Sequence, residues 1–184
     1  EYFNDKKFIF VDNDKDKIIQ ECFSQLLSII NKISLKDYQI IITLPSLFKS
    51  IEKELEVNRE QREDFIKAVN EVNLDYLQEH YKISNFIKNM LLGLDFNNLD
   101  YLEKHLSPSE LKPLLMLRDL LKNTSDNVIC NFRHDAYHEN IAFAVISQNS
   151  NATYARGGDY KINAISGCGA SFYVEEILNY DIKK

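Results

Sequence analysis

The residues most able to do chemistry lie in three short blocks near the end of the chain. Arginine supplies a fixed positive charge with forked donors, tyrosine and histidine supply polar ring atoms, and glycine lets a ligand approach the backbone closely. Together these residue types are typical of a pocket for a small polar molecule. The blocks are Arg133-His134-Asp135-Ala136-Tyr137-His138, Arg156-Gly157-Gly158-Asp159-Tyr160 and Gly167-Cys168-Gly169.

Arg133 ends a predicted strand and lies, by alternation, on the same face as Ile129 and Asn131. A charge at the mouth of a buried sheet is costly unless it is paired, so we expect an anionic partner. That partner is either a bound ligand or one of the chain's own carboxylates, and the residues alone do not decide between them. His138 is expected either at the edge of a pocket or in an ordinary structural hydrogen bond.

Other kinds of site are not favoured by the same residues. On a strand, His134 and His138 would stand about 13 Å apart, too far to share a metal ion. The acids from Asp12 onward lack the glycine and the final glutamate of a calcium loop and suit a helix cap better. Cys168 has no histidine or acid placed near it by sequence, so a small buried residue is the expected role. We therefore expect no metal site and no cofactor.

The composition narrows the classes of function. A net charge of −6 and a pI near 5.3 argue against a broad phosphate-binding face, so nucleic acid is not expected as a partner. The three cysteines form no Cys-x-x-Cys pair and no disulfide framework, which fits a reducing cytoplasm. No apolar run approaches the roughly 20 residues needed to cross a bilayer, so we expect no membrane partner.

The elements that must position these blocks begin with a strand at residues 7–11. The acids that follow suit a helix N-terminus, and apolar residues then recur at helical spacing as far as Ile33. A second strand is predicted at residues 39–44, and Pro45 allows a helix to begin at once. Residues 45–123 predict a helical insertion of short stacked elements. It contains a strong helix start at Ser107-Pro108-Ser109-Glu110 and an apolar stripe at Phe65, Ile66, Val69, Val72, Tyr76 and Leu77.

Strands are predicted again at residues 128–132, 140–148 and 152–156. Short polar turns join them, as an antiparallel meander requires. Residues 140–148 are apolar on both faces, which indicates a central strand. The glycines of the second and third blocks are expected at strand ends, where the backbone closely approaches a ligand or a neighbouring strand.

The three blocks, in this order, resemble the C-terminal half of the histidyl-tRNA synthetase catalytic domain. In that family, Arg-Gly-Leu-Asp-Tyr-Tyr, Gly-Gly-Arg-Tyr-Asp and Gly-x-Gly…Glu-Arg segments build the amino-acid and nucleotide pockets. The resemblance implies an α/β (α+β) fold of the class II aminoacyl-tRNA synthetase type, an antiparallel sheet flanked by helices with an insertion at about 45–123. It also implies that residues 1–184 are the C-terminal part of such a domain, because the first two class II motifs have no recognisable counterpart here.

Two residues depart from the synthetase pattern by a reversal of charge. Glu176 stands where the family has arginine, and Asp159 stands where Gly-Gly-Arg-Tyr-Asp has arginine. A carboxylate offers only acceptors and repels a triphosphate, so the two positions predict a degenerate nucleotide site. We therefore expect no catalytic residues.

The Tyr137-His138 pair and Ala155-Arg156-Gly157-Gly158 resemble more closely the regulatory subunit of ATP phosphoribosyltransferase, a non-catalytic paralogue of the synthetase. That resemblance implies a histidine-binding subunit of the enzyme that opens histidine biosynthesis, paired with its catalytic subunit and itself a homodimer within the hetero-oligomer. The implied histidine pocket uses Arg133, Tyr137 as a buried phenol, His138, Arg156, Gly157 and Gly158. Two alternatives stay open: an authentic histidyl-tRNA synthetase fragment, and a synthetase-like sensor or interaction domain with another partner.

Overall fold

A single seven-stranded sheet organises the chain. The computed structural model describes residues 6–12, 14–97, 99–122, 128–162 and 165–182. The strands are β1 (Lys6–Asp12), β2 (Tyr38–Thr43), β3 (Leu94–Asp95), β4 (Val128–Asn131), β5 (Ala142–Ser147), β6 (Thr153–Ile162) and β7 (Ile165–Phe172). Their order across the sheet is β1-β7-β6-β5-β2-β4-β3, and every neighbouring pair is antiparallel except β2 and β4.

Helices flank the sheet, which makes this a mixed α/β fold, as the sequence analysis expected. Those within the described ranges are α1 (Lys15–Lys32), α2 (Pro45–Glu54), α3 (Arg62–Asn70), α4 (Leu74–Tyr81), α5 (Asn85–Leu92), α6 (Pro108–Leu121) and α7 (Val174–Ile182). A 3-10 helix spans Asp100–Lys104. In the described part of the chain, no helix is long and apolar enough to cross a membrane.

The helix starts follow the local chemistry of the sequence. The Asp14 carboxylate caps α1 by accepting a hydrogen bond from the Lys17 backbone N–H, which confirms that these acids form a cap. Pro45 occupies the first turn of α2, where its missing N–H leaves no bond unmade. Ser107 and Glu110 form the predicted capping box of α6.

One part of the core lies between α1 and one face of the sheet, and the helices of the insertion bury further residues of the same core. Ile18, Cys22, Phe23 and Leu26 on α1 are completely buried. The ring centroids of Phe23 and Phe143 are 4.6 Å apart, which fixes α1 over the central strand β5. The opposite face of β1, β6 and β7 is left partly open, and we call it the open face.

The predicted meander was wrong in its order. β5, β6 and β7 form a meander, but β4 is separated from β5 by β2, with which it pairs in parallel. The helical insertion, not a turn, connects β2 to β4 along the chain. β5 is central, as its two apolar faces predicted.

Two further expectations are corrected by the strands and turns. β6 runs on to Ile162, so its two glycines and those of β7 lie within strands and not at strand ends. The apolar stripe from Phe65 to Leu77 is broken, because Val72 takes a left-handed conformation (φ +56°) between α3 and α4. β3 interrupts the insertion and was not predicted. The predicted end of the insertion, at Asn123, lies outside the described residues.

Candidate functional site

A cleft of about 260 Å³ opens on the open face, over β1, β6 and β7. Strand alternation decides what reaches it. Arg156, Gly158 and Tyr160 lie on its side of β6, and Gly169 and Ser171 lie on its side of β7. From β1 come Lys7 and Ile9, while His138 and Tyr173 complete the rim from the segments beside the strands.

The cleft is cationic. Lys7 and Arg156 line it, and neither forms an ion pair with a described residue. Among the described residues, no aspartate or glutamate lines the cavity. Two unpaired cations without a nearby carboxylate favour an anionic group on the ligand.

His138 lines the cleft and also forms a structural hydrogen bond, and the sequence analysis had left these two roles open as alternatives. Its Nδ1 is 2.8 Å from the Asp135 carboxylate. The same carboxylate accepts hydrogen bonds from the backbone N–H groups of Tyr137, at 2.7 Å, and His138, at 2.9 Å. In the tautomer that donates from Nδ1 to Asp135, Nε2 is an acceptor.

The charge on Asp135 is stabilised by this arrangement. Partial burial alone would raise the pKa of Asp135, but the hydrogen bonds from the His138 ring and from the two backbone N–H groups outweigh it and lower the pKa. Asp135 therefore stays ionised and fixes the orientation of the His138 ring.

Gly158 lets the His138 ring lie directly over β6. A Cβ at position 158 would overlap the ring and would stand 2.5 Å from the Ile141 carbonyl oxygen. That carbonyl is fixed, because it accepts a hydrogen bond of 2.9 Å from the Asp159 N–H. Gly157 faces the opposite side of the sheet, where a Cβ would stand 2.5 Å from the Phe143 ring. Both glycines thus serve close packing within the sheet, and both also line the cleft.

Asp159 does not face the cleft, so its expected place in a nucleotide pocket was wrong. The side chain is 1% exposed and points to the α1 side of the sheet, because it alternates with Gly158 and Tyr160. It accepts hydrogen bonds from the backbone N–H groups of Asn140 and Ile141 and from the Asn140 side chain. The Lys15 ammonium lies 3.1 Å away. This carboxylate joins β6, α1 and the segment that follows His138.

Arg133 and Tyr137 are also placed differently from expectation. The Arg133 guanidinium donates to the Phe132 carbonyl at 2.7 Å and to the Leu91 carbonyl at 2.9 Å, and it does not line the cleft. Its partners in the structure are backbone oxygens, and neither a ligand nor a carboxylate is among them. Tyr137 is 85% exposed and is not the buried phenol that was predicted.

Glu176 lies in the first turn of α7, where it is exposed and outside the cleft lining. An acid in the first turn suits the helix dipole. The described residues contain no group of histidines, cysteines and acids that could hold a metal ion. Cys168 is buried, and its hydrogen bond with Cys22 together with burial raises its pKa, which leaves an inert thiol.

Sequence reasoning missed Lys7, Ser171 and Tyr173. Lys7 lies some 150 residues along the chain from the blocks on β6 and β7 and joins them only because β1 pairs with β7. The available signal was the alternation Lys7-x-Ile9-x-Val11, which gives β1 one face that is not fully apolar.

Solved structures from three bacteria share this fold. A chain of the ATP phosphoribosyl transferase (HisG:HisZ) complex from Thermotoga maritima is 17% identical, with a TM-score of 0.70, over 90% of this chain and 64% of that one. An ATP phosphoribosyltransferase regulatory subunit/histidyl-tRNA synthetase from Bacillus halodurans is 13% identical, with a TM-score of 0.73, over 94% and 52%. A histidine–tRNA ligase subunit from Alicyclobacillus acidocaldarius is 15% identical, with a TM-score of 0.71, over 95% and 64%.

The chain thus spans between about half and two thirds of the length of these structures. No curated protein sequence matches it closely enough to count as a relative. The family model of histidyl-tRNA synthetase matches residues 14–177, which include helices α1 to α6, the start of α7 and strands β2 to β7. With nearly the whole chain matched, this protein belongs to the histidyl-tRNA synthetase family.

Proposed function

We propose that the chain is a non-catalytic, regulatory member of this family that binds histidine in the open-face cleft. In this proposal it acts in the cytoplasm with the catalytic subunit of ATP phosphoribosyltransferase. The observation that carries the proposal is a small cleft lined by two unpaired cations, Lys7 and Arg156, with a fixed imidazole, His138, at its edge. This combination suits an amino acid that carries a carboxylate and a polar ring.

The roles of the lining residues follow from their chemistry. Lys7 and Arg156 would hold the α-carboxylate, since both are cations without another partner among the described residues. His138, with Nε2 as an acceptor, could take the N–H of the ligand's imidazole, and the hydroxyls of Tyr160 and Ser171 can donate or accept as the ligand requires. Arg133 and Tyr137 would contribute only if they moved from their present places.

A regulatory role is supported by the size of the cleft and by one departure in sequence. About 260 Å³ is below the roughly 300–1,000 Å³ of pockets that bury drug-sized ligands, which favours an amino acid over a nucleoside triphosphate. Glu176 stands where the synthetase pattern has arginine. Asp159 no longer supports this argument, because its carboxylate is fully used inside the fold. Two of the similar structures carry names that include the phosphoribosyltransferase complex or its regulatory subunit.

Calorimetric titration with histidine tests the site. The unaltered chain is expected to bind histidine, and Arg156→Ala is expected to lose about 1.5–3 kcal/mol of binding free energy, the range for hydrogen bonds to charged groups. Arg59→Ala is the matched control, because Arg59 is exposed in the turn between α2 and α3 and away from the cleft. Equal affinity in both variants would show that the cleft is not the histidine site.

The synthetase alternative keeps a specific observation in its favour, since the matching family model describes histidyl-tRNA synthetases. The two functions differ in one reaction, the activation of histidine by ATP. Histidine-dependent exchange of pyrophosphate into ATP should stay at background for a regulatory chain. Exchange at rates typical of a synthetase would replace the regulatory proposal with the catalytic one.

A further inference from the structure

The two oxygens of the Asp135 carboxylate have different partners. Oδ1 accepts hydrogen bonds from the backbone N–H groups of Tyr137, at 2.7 Å, and of His138, at 2.9 Å. Oδ2 lies 2.8 Å from Nδ1 of the His138 ring. One oxygen therefore holds the backbone of the turn, and the other holds the ring.

The charge on this carboxylate determines where the ring carries its proton. Partial burial raises the pKa of Asp135, but the hydrogen bonds from the ring and the backbone outweigh it and lower the pKa, so the group is ionised. An ionised carboxylate only accepts hydrogen bonds, so the proton between Oδ2 and Nδ1 belongs to the ring. In a neutral ring, Nε2 then holds a lone pair.

Nε2 of His138 lies in the cleft. It stands 2.8 Å from the position that a Cβ on Gly158 would occupy, on the side of β6 that lines the cleft. No hydrogen bond from a described residue occupies it. An acceptor without a partner at the wall of a cleft favours a ligand that brings a donor.

We propose that Asp135 makes the cleft selective for ligands whose ring carries an N–H. This inference rests on the proposed function, in which Lys7 and Arg156 hold the carboxylate of an amino acid. Arg156 and Gly158 lie two residues apart on one face of β6, about 7 Å, so a ligand carboxylate at Arg156 leaves the ligand's ring beside His138. The two cations repel the ligand's ammonium group, and the ring is the group that donates to Nε2.

Two isomers of pyrazolylalanine test this selectivity by calorimetric titration. They have the same size and the same carboxylate and ammonium groups. The isomer attached through a ring carbon has an N–H, whereas the isomer attached through a ring nitrogen has none and would place a lone pair against that of Nε2. The unaltered chain is expected to bind the carbon-linked isomer more tightly by roughly tenfold or more.

Asp135→Asn reverses the hydrogen bond to the ring while keeping the shape of the side chain. Its amide oxygen can still accept from the two backbone N–H groups, and its NH₂ group then replaces Oδ2 and donates to Nδ1 of His138. The ring proton therefore moves to Nε2, and the preference for the carbon-linked isomer should disappear or reverse. Asp75→Asn is the matched control, because Asp75 is exposed on α4 and does not line the cleft.

Nitrogen NMR of the histidine rings measures the tautomer without any ligand. At about pH 8, where imidazole in water is neutral, His138 should carry its proton on Nδ1 in the unaltered chain and on Nε2 in Asp135→Asn. His80 is an internal reference, because its Nδ1 lies 3.0 Å from the Tyr76 carbonyl oxygen, which only accepts. A His138→Gln variant assigns the signal, and circular dichroism confirms that each variant is folded.

The outcomes separate this inference from the proposed function. A proton on Nε2 or on both nitrogens of His138 in the unaltered chain would overturn the inference, and so would an isomer preference that survives Asp135→Asn. Equal affinity for the isomers in a chain that binds histidine would also overturn it and leave histidine binding intact, since Nε2 would then meet the ammonium group or no ligand atom. A chain that binds neither histidine nor the isomers would overturn both.

Discussion

At the scale of single residues, the site depends on Gly158, which has no side chain and therefore lets the His138 ring lie directly over β6. Gly158→Ala should displace His138 and destabilise the fold by about 1–3 kcal/mol, because the new Cβ meets a fixed carbonyl as well as the ring. Urea denaturation measures the loss. Gly167→Ala is the control, since a Cβ there meets only the Tyr160 side chain, 2.6 Å away, which can turn aside. Equal losses would mean that the overlap at position 158 is relieved elsewhere.

Asp135 gives the site a dependence on pH. Asp135→Ala removes a charged acceptor of three hydrogen bonds and should cost about 1.5–3 kcal/mol of unfolding free energy at neutral pH. Because folding lowers the pKa of Asp135, its contribution is complete above the usual value of about 3.9 and disappears as pH falls through the lower folded value.

The measurement is the difference in unfolding free energy between Asp135→Ala and the unaltered chain, followed from neutral to strongly acidic pH. The difference should shrink as the pH is lowered. A difference that stays constant would show that the carboxylate acts by packing and not through its charge.

The sequence predicted part of this site and missed part of it for identifiable reasons. The lining residues that could be predicted lie in local blocks of polar residues and glycines. They are Arg156, Gly157, Gly158 and His138. Asp159 was misplaced because β6 was predicted to end at Arg156. The strand continues through the glycines, and the alternation of its side chains turns Asp159 to the α1 side of the sheet. Lys7 could not be predicted as a site residue from its local sequence, because its neighbours in the cleft lie on strands that are distant along the chain.

At the scale of elements, Arg133 holds the insertion to the sheet. Its guanidinium reaches the Leu91 carbonyl in the last turn of α5, where the helix leaves its carbonyls unpaired and the dipole favours a cation. Burial lowers its pKa without removing the charge.

Arg133→Ala should therefore lower the free energy of unfolding by about 1.5–3 kcal/mol and leave histidine affinity unchanged. Denaturation and calorimetry on the same sample measure the two effects. Arg59→Ala should change stability by no more than about 0.5 kcal/mol. If Arg133→Ala instead loses histidine affinity at unchanged stability, the role implied by the family resemblance is correct.

Helix positions were easier to predict than strand order. Asp14, Pro45 and Ser107 act on the backbone within a few residues, so each start could be located from the sequence. The position of β2 between β4 and β5 in the sheet depends on contacts between residues far apart in the sequence, which no local pattern predicts. Val72 adds a local exception, because a β-branched residue rarely takes a positive φ and its apolar character favoured an unbroken helix.

At the scale of the whole molecule, the proposed function predicts reciprocal coupling. If histidine shifts the complex between two states, it must change the affinity for the catalytic subunit's substrates, and those substrates must change the affinity for histidine by the same factor, typically 5–150-fold. Mixing the chain with the catalytic subunit and titrating each ligand in the presence of the other measures both factors.

The Arg156→Ala chain provides the control for that experiment. It should still associate with the catalytic subunit but transmit no effect of histidine. Identical responses with the altered and unaltered chains would place the histidine sensor on the other subunit. An absence of association would leave the partner of this chain to be found elsewhere.

The pairing of β1 with β7 has a consequence for how the protein is made. Lys6 lies opposite Phe172, and Asp12 lies opposite Ser166, so this ribbon joins segments more than 150 residues apart. Contacts of such long range form late and slowly. On the ribosome, β1 emerges more than 150 residues before β7 and stays unpaired with it until β7 has emerged, a period in which chaperones or a premature strand partner can bind β1. The cleft is lined by both strands, so it cannot form before β7 has been made.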